Sequence, residues 1–146
     1  MTDATTMSET GLGGTLGFRF VELSGDHAAV EWTVGPQHLQ PFGIVHGGVH
    51  CAVNESAASM AAQAWLRDKG LVVGVNNNTD FLRQAREGET LRTVATPIHR
   101  GRTTQLWEMS TTNAEGKLVS RGQVRLAHIP GTPPAEFLAL LDDDAS

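Results

Sequence analysis

From about Gly48 to Arg67 the chain runs for twenty residues without proline, in small and apolar side chains of which Val49, Ala52, Val53, Ala57, Met60, Ala61 and Ala64 recur at helical spacing. At about 3.6 residues per turn this is one helix of about five turns. Alanine and serine occupy nearly all of its faces, so other elements can approach it closely from most sides. The expectation is a helix enclosed by its neighbours rather than laid on an open surface. Those neighbours read as strands. Upstream, LGFRFVEL and HAAVEWTV alternate apolar and polar residues around the turn-forming SGD, which predicts a β-hairpin. After a break at GPQHLQPFG and the helix come LVVGVNNNTDFL, TLRTVATPIHR, TTQLWEMSTTN and KLVSRGQVRLAHI, separated by the turn chemistry of REGE, RGR and NAEG. A hairpin, one long helix and four strands joined by short connections imply an α+β fold, the helix packed against a curved antiparallel sheet.

At 146 residues the chain fits one domain that buries roughly two thirds of its unfolded surface. Residues 1–10 are polar and expected to fray, residues 11–130 form the domain, and residues 131–146 form a tail. Prolines stop the last strand there, a short helix runs from Pro134 to Leu141, and the acidic DDDAS frays. A net charge of -5 gives no general affinity for nucleic acid or an anionic membrane, so an anionic ligand needs a local basic patch. The single cysteine, Cys51, excludes an intramolecular disulfide and fits a reducing compartment. The N-terminus carries no basic residue followed by an apolar run, and no window approaches the ~20 apolar residues of a membrane span. A cytoplasmic location is therefore expected.

Within the helix Glu55 stands alone: from His46 to Leu66 it is the only charged residue when the histidines are neutral. Burying an ionised carboxylate without partners costs several kcal/mol, so it either faces solvent, is satisfied by hydrogen bonds, or sits where its charge is used. Helical phase groups it with Cys51, Ala52, Ala58, Ser59 and Ala62, with no lysine or arginine one turn away. Gly47 and Gly48 stand where the helix begins. Unpaired N–H groups and the positive end of the helix dipole there form a ready site for a carbonyl oxygen gaining negative charge. Glu55, two turns further on, would attack that carbonyl or activate a water against it, the layout of an acyl-transfer site.

The segment QPFGIVHGG, a glutamate nine residues after its histidine, and then REGE, PIHRGR and QLWE in order resemble the hotdog-fold acyl-CoA thioesterases. The resemblance is to the PaaI-like branch that includes 4-hydroxybenzoyl-CoA and 1,4-dihydroxy-2-naphthoyl-CoA thioesterases, and it runs from about Gly17 to Ile129. It implies a sheet wrapped around one central helix, with Glu55 as nucleophile or general base and the Gly47 N–H polarising the thioester carbonyl. It also implies that Gln40 and His46 orient substrate or support the site, and that Ser59 holds the hydrolytic water. In such enzymes the site spans a dimer interface, Glu55 and Ser59 from one subunit and Gln40, His46 and Gly47 from the other, and two dimers pair into a tetramer.

Coenzyme A would be part of the substrate, with no separate cofactor. From Phe81 to Arg102 five arginines, Arg83, Arg86, Arg92, Arg100 and Arg102, face only Glu87 and Glu89, a local balance of +3. Arginine's planar fork suits phosphate. Arg83, Arg86, Arg100 and Arg102, at or beside turns, are preferred over Arg92, and the loop from His99 through Thr103 and Thr104 offers an imidazole, hydroxyls and backbone amides. Other groupings are set aside. His46 and His50, with His38, lack the glutamate of an HExxH pair, and no metal is expected. Cys51 is read as a packing residue, His50 as lining a pocket or filling space, GLGGTLG as a flexible entry to the first strand, and the three tryptophans as core or interface, Trp65 alternatively bordering the acyl pocket. The expected reaction is hydrolysis of an aryl or medium-chain acyl-CoA. The alternatives are a hotdog dehydratase or hydratase, which releases no thiol, and a non-catalytic acyl-CoA-binding domain.

Overall fold

The alternating segments become strands because each has one apolar face to bury. β1 (Arg19–Leu23) and β2 (Ala28–Thr33) form the expected hairpin, Ser24 N–H donating to His27 O at 2.8 Å. β3 (Leu71–Phe81), β4 (Thr90–Arg100), β5 (Thr104–Thr112) and β6 (Leu118–Ile129) follow the helix α2 (Gly47–Leu66). The structure, a computed structural model, describes residues 10–142. The expectations for the fraying N-terminal segment and acidic C-terminal run fall on residues 1–9 and 143–146, outside the described ones.

All neighbouring strands are antiparallel, in one six-stranded sheet of order β1-β2-β4-β5-β6-β3. α2 packs against all six strands, and Val49, Val53, Ala57, Ala61 and Ala64, five of the residues whose spacing predicts the helix, are buried. Trp32, Trp107, Leu91 and Met109 fill the space between helix and sheet. Each fully buried side chain of this kind contributes about 1.5–3 kcal/mol relative to exposure. Gln63 closes the end of α2 with its side chain, donating to Arg67 O (3.0 Å) and Gly70 O (2.9 Å) and accepting from Val72 N–H at 3.0 Å.

The structure corrects the sequence reading in two places. REGE does not close a hairpin, because β3 pairs with β6 and not with the next strand in sequence. Residues 82–89 instead cross the end of the sheet, where Gly88 N–H reaches Val34 O at 2.8 Å and Ala85 O accepts from Val45 N–H at 2.9 Å. A β3–β4 hairpin would stack both strands on one flank of the helix; pairing β3 with β6 curls the far edge of the sheet around it. GLGGTLG, read as a flexible entry, forms the short helix α1 (Gly11–Thr15), which leads into β1 through Phe18 N–H donating to Gly13 O at 3.0 Å. The predicted tail helix is α3 (Ala135–Asp142), which buries Phe137.

A register shift between Gly74 and Asn76 in β3 decides which side chains meet the helix. Side chains alternate along a strand, so without the bulge Gly74, Asn76 and Asn78 would share a face. With it, Asn77, Thr79 and Phe81 contact α2 instead, at Cys51 and Glu55, at Asn54, and at Gly47 and His50 respectively.

Candidate active site

The chain enters α2 through the turn of QPFG, where Gln40 N–H donates to Ile44 O at 2.9 Å and Gly43 N–H to Gln40 O at 3.0 Å. Gly43 takes φ of +80°, a conformation that favours glycine. His46 is the N-cap, its Nδ1 accepting from Gly48 N–H at 2.8 Å. With that donor taken, the Gly47 N–H points out of the helix end with no hydrogen bond among the described residues. Phe81 lies so close that a Cβ at Gly47 would come within 2.5 Å of its ring. Gln40 and Gly47, two of the predicted site residues, share a cavity of about 390 Å³ with His50, Phe81, Leu82 and Arg83. The Gln40 Oε1 accepts from Phe42 N–H, holding the side chain at the mouth of the turn.

His50 both lines this cavity and packs in the core, in keeping with the sequence reading. It is 3% exposed, one turn beyond Gly47, edge-on to Trp32 at 5.8 Å and tilted against Phe81 at 5.9 Å. Burial pushes its imidazole down to about 4, so it is neutral near pH 7. Its Nδ1 is buried and without a hydrogen-bond partner among the described residues. His38 by contrast uses both ring nitrogens on backbone, with Gly35 N–H at 2.9 Å and Leu16 O at 2.6 Å.

Glu55 and Ser59 lie one turn apart on the half-buried side of α2 and line a second cavity of about 290 Å³ with Phe18, Phe20, Ser56 and Met60, beside Gly13 of α1. Asn77 donates from Nδ2 to Glu55 Oε2 at 3.2 Å and to Cys51 O at 2.9 Å. The other carboxylate oxygen, Oε1, rests over Gly74, where any Cβ would collide with it. Glu55 is thus hydrogen-bonded and reachable from a cavity at once. A rise of about 1.5 Å per residue separates it from Gly47 by about 12 Å along α2. One chain therefore brings Gln40 together with Gly47, and Glu55 with Ser59, but does not bring the two pairs together, which corrects the same-chain layout read from the helix alone.

The predicted phosphate ligands also divide. Arg83 lines the Gly47 cavity, and Arg86 lies beside it in sequence with its N–H on Glu89 Oε2 at 2.5 Å. Arg100 is engaged within the chain: it donates to Gly25 O and Asp26 Oδ1, both at 2.6 Å, and lies 5.7 Å over the Trp65 ring. Arg92, set aside, bonds Glu31 at 2.9 Å and Glu22 at 3.1 Å. Arg102 lines a third cavity of about 410 Å³ with Trp65, Lys69 and His128, at the far end of α2 about 27 Å from Gly47. His99 is exposed beside Gly101, while Thr103 O and Thr104 O accept from His128 N–H and Gly101 N–H, each at 2.9 Å. Trp65 therefore borders this basic cavity and not the one at Gly47.

Sequence reasoning missed Gly74, Asn77, Thr79 and Phe81. A glycine inside a strand marks close approach, and three asparagines in succession are foreign to strands, so both signals were present.

A sequence profile described as the thioesterase superfamily matches residues 42–120. A Mycobacterium tuberculosis protein whose name goes no further than esterase is 50% identical over 121 residues, 81% of this chain and 86% of its own. The 1,4-dihydroxy-2-naphthoyl-CoA hydrolase of Escherichia coli K12 is 31% identical over 121 residues, 83% of this chain and 88% of its own. The crystal structure of AziG from S. sahachiroi superimposes with a TM-score of 0.81 at 48% identity, covering 84% of this chain and 98% of that one.

Proposed function

The chain belongs to the thioesterase superfamily, with the hotdog fold, and from that premise we propose that two copies pair to hydrolyse an aryl or medium-chain acyl-CoA to free acid and CoA. The observation that carries this is the separation of the half-sites, Gln40 and Gly47 in one cavity and Glu55 and Ser59 in another. A two-fold axis across antiparallel α2 helices sets Glu55 of one copy beside Gly47 of the partner subunit, and each pairing makes two sites. The sheet supplies the surface for it. β3 is an edge strand of eleven residues whose outer hydrogen-bonding side is open and whose Val73, Val75 and Phe81 are exposed, a form that isolated proteins avoid.

In the completed site the thioester oxygen accepts from the Gly47 N–H at the positive end of α2, where charge developing on oxygen is stabilised. Glu55 either takes a proton from a water held at Ser59, which attacks the carbonyl carbon, or attacks that carbon itself through Oε1. The carbonyl electron pair moves to oxygen and returns as the C–S bond breaks, and the CoA thiolate leaves to be protonated; in the second route water then hydrolyses the mixed anhydride. The acyl group fits the cavity at Gly47, between Phe81, Leu82, Ile44 and Val45. CoA's arm runs along the Glu55 chain toward the third cavity, about 15 Å on, where Arg102 and Lys69 meet phosphate and Trp65 offers a ring face.

A panel of benzoyl-, phenylacetyl- and hexanoyl-CoA with a colorimetric thiol reagent tests the activity. Glu55→Ala is expected to lower kcat about a hundredfold or more with the circular dichroism unchanged. Near-wild-type turnover in that variant overturns the mechanism, and no thiol release from any ester overturns the activity.

A further inference from the structure

Glu55 is the last member of a directional chain of hydrogen bonds that begins in the core. Asn54, fully buried and immediately before Glu55 on α2, donates from Nδ2 to Thr79 Oγ1 at 3.1 Å. Thr79 has one hydroxyl proton and gives it to Asn77 Oδ1 at 2.7 Å. With its oxygen held there, Asn77 turns both Nδ2 protons to acceptors, Cys51 O at 2.9 Å and Glu55 Oε2 at 3.2 Å. A flipped amide would set Oδ1 against those two acceptors and its NH2 toward Thr79, whose oxygen already receives Asn54. Asn77 is exposed on the single chain, so these bonds rather than packing fix its orientation.

Resting on the catalytic role proposed for Glu55, we propose that Asn77, set by Thr79 and Asn54, is the positioning residue of the reaction. Its amide holds Oε2 and fixes the carboxylate plane, leaving Oε1 over Gly74 as the oxygen that meets water or the carbonyl carbon. Gly74 makes room for that oxygen, and the bulge that follows it is what brings Asn77 rather than Asn76 to the helix. The bulge, the glycine and the asparagine act on one carboxylate, which a purely structural polar contact would not require.

Steady-state kinetics on the full chain with the fastest ester of the panel tests this, alongside thermal melting and size exclusion. Asn77→Ala and Thr79→Val are expected to lower kcat on the order of tenfold to a hundredfold while KM stays within about threefold, since misplacing a reacting group costs rate rather than binding. Thr79→Ser, which keeps the hydroxyl, restores kcat to within about threefold of wild type. If Asn77→Ala fails to fold, the Thr79→Val and Thr79→Ser pair decides alone. Wild-type kcat in Thr79→Val, or equal loss in Thr79→Ser, overturns the inference while an inactive Glu55→Ala leaves the function standing. An active Glu55→Ala instead removes the function on which it rests.

Discussion

Replacing His50 by Gln is expected to make the protein more resistant to acid. The imidazole is 3% exposed, faces the rings of Trp32 and Phe81, and is held down to about 4 by burial. An unfolded chain binds a proton at this residue near pH 6.5. As pH falls below that value, the unfolded state gains a proton that the folded state refuses, so stability falls with pH, and the decline ends near pH 4 where the folded state also protonates. The slope is about 1.4 kcal/mol per pH unit, which gives a loss from this one residue of about 1.4 kcal/mol at pH 5.5 and about 3 kcal/mol at pH 4.5. Glutamine has similar reach and no titration in this range. Urea unfolding at pH 7.5, 5.5 and 4.5 measures both proteins, and subtracting the curves removes carboxylates and other histidines, common to the pair. At pH 7.5 the variant is equal or weaker, because it trades a ring for an amide between aromatic neighbours. The difference then moves in the variant's favour by about 3 kcal/mol by pH 4.5. Parallel curves would refute a neutral buried imidazole at this position.

Gly74→Ala places a methyl where Glu55 Oε1 rests. The side chain can swing away, so the melting temperature is expected to hold while kcat falls at least about tenfold; unchanged turnover would show that this rotamer is not the reactive one. Arg67 ends α2 at φ +56°, ψ −124°, a conformation costly for any side chain, and its one ion pair among the described residues, to Asp142, is exposed and 3.7 Å long. Arg67→Gly should therefore raise stability by roughly 1 kcal/mol, read as a higher urea midpoint. Gln105 is fully buried, accepts from Trp107 Nε1 at 2.8 Å and contacts Ala62 O and His128 Nε2 at 3.2 and 3.0 Å. Gln105→Leu strands the indole N–H and is expected to cost about 2–4 kcal/mol in the same assay.

The fold was legible where burial repeats with the period of the element. Val49, Val53, Ala57 and Ala61 return to one side of a helix, and β5 alternates buried with half-buried residues from Thr104 to Thr112. Strand order was not legible, because REGE carries turn residues whether it closes a hairpin or carries the chain across a sheet end; what decides is that β3 meets β6, two strands further along the chain than β4. At the site, Glu55, Gly47, His46 and Gln40 stood out through their local setting, a lone carboxylate and a glycine helix start. His50 and Asn77 did not. The setting of His50 depends on Trp32 and Phe81 and that of Asn77 on Cys51 and Glu55, all far off in sequence, and for Asn77 also on a bulge that shifts the strand's facing pattern by one residue. The arginines show the reverse error. Their closeness in sequence suggested one patch, yet Arg83 and Arg102 line cavities at opposite ends of α2, because they sit in the connections before and after β4, an eleven-residue strand that separates them.

The small residues of α2 follow from the two demands made on it. Its inner side meets six strands, and fully buried alanines at 57, 58, 61 and 62 let the sheet close around it. Its other side, from Cys51 through Ala52, Glu55, Ser56 and Ser59, stays half-buried on one chain beside the open edge of β3. In the pairing proposed above, a larger side chain there would hold the second helix away, and an added charge would be desolvated without a partner. Glu55 escapes that cost because Asn77 already supplies a donor and a cavity opens beside it. The same argument predicts where the helix tolerates change. Ser56→Leu or Ala52→Leu should leave the single chain folded but shift size exclusion toward monomer and abolish thiol release together. Retained activity in a monomer would refute the shared site.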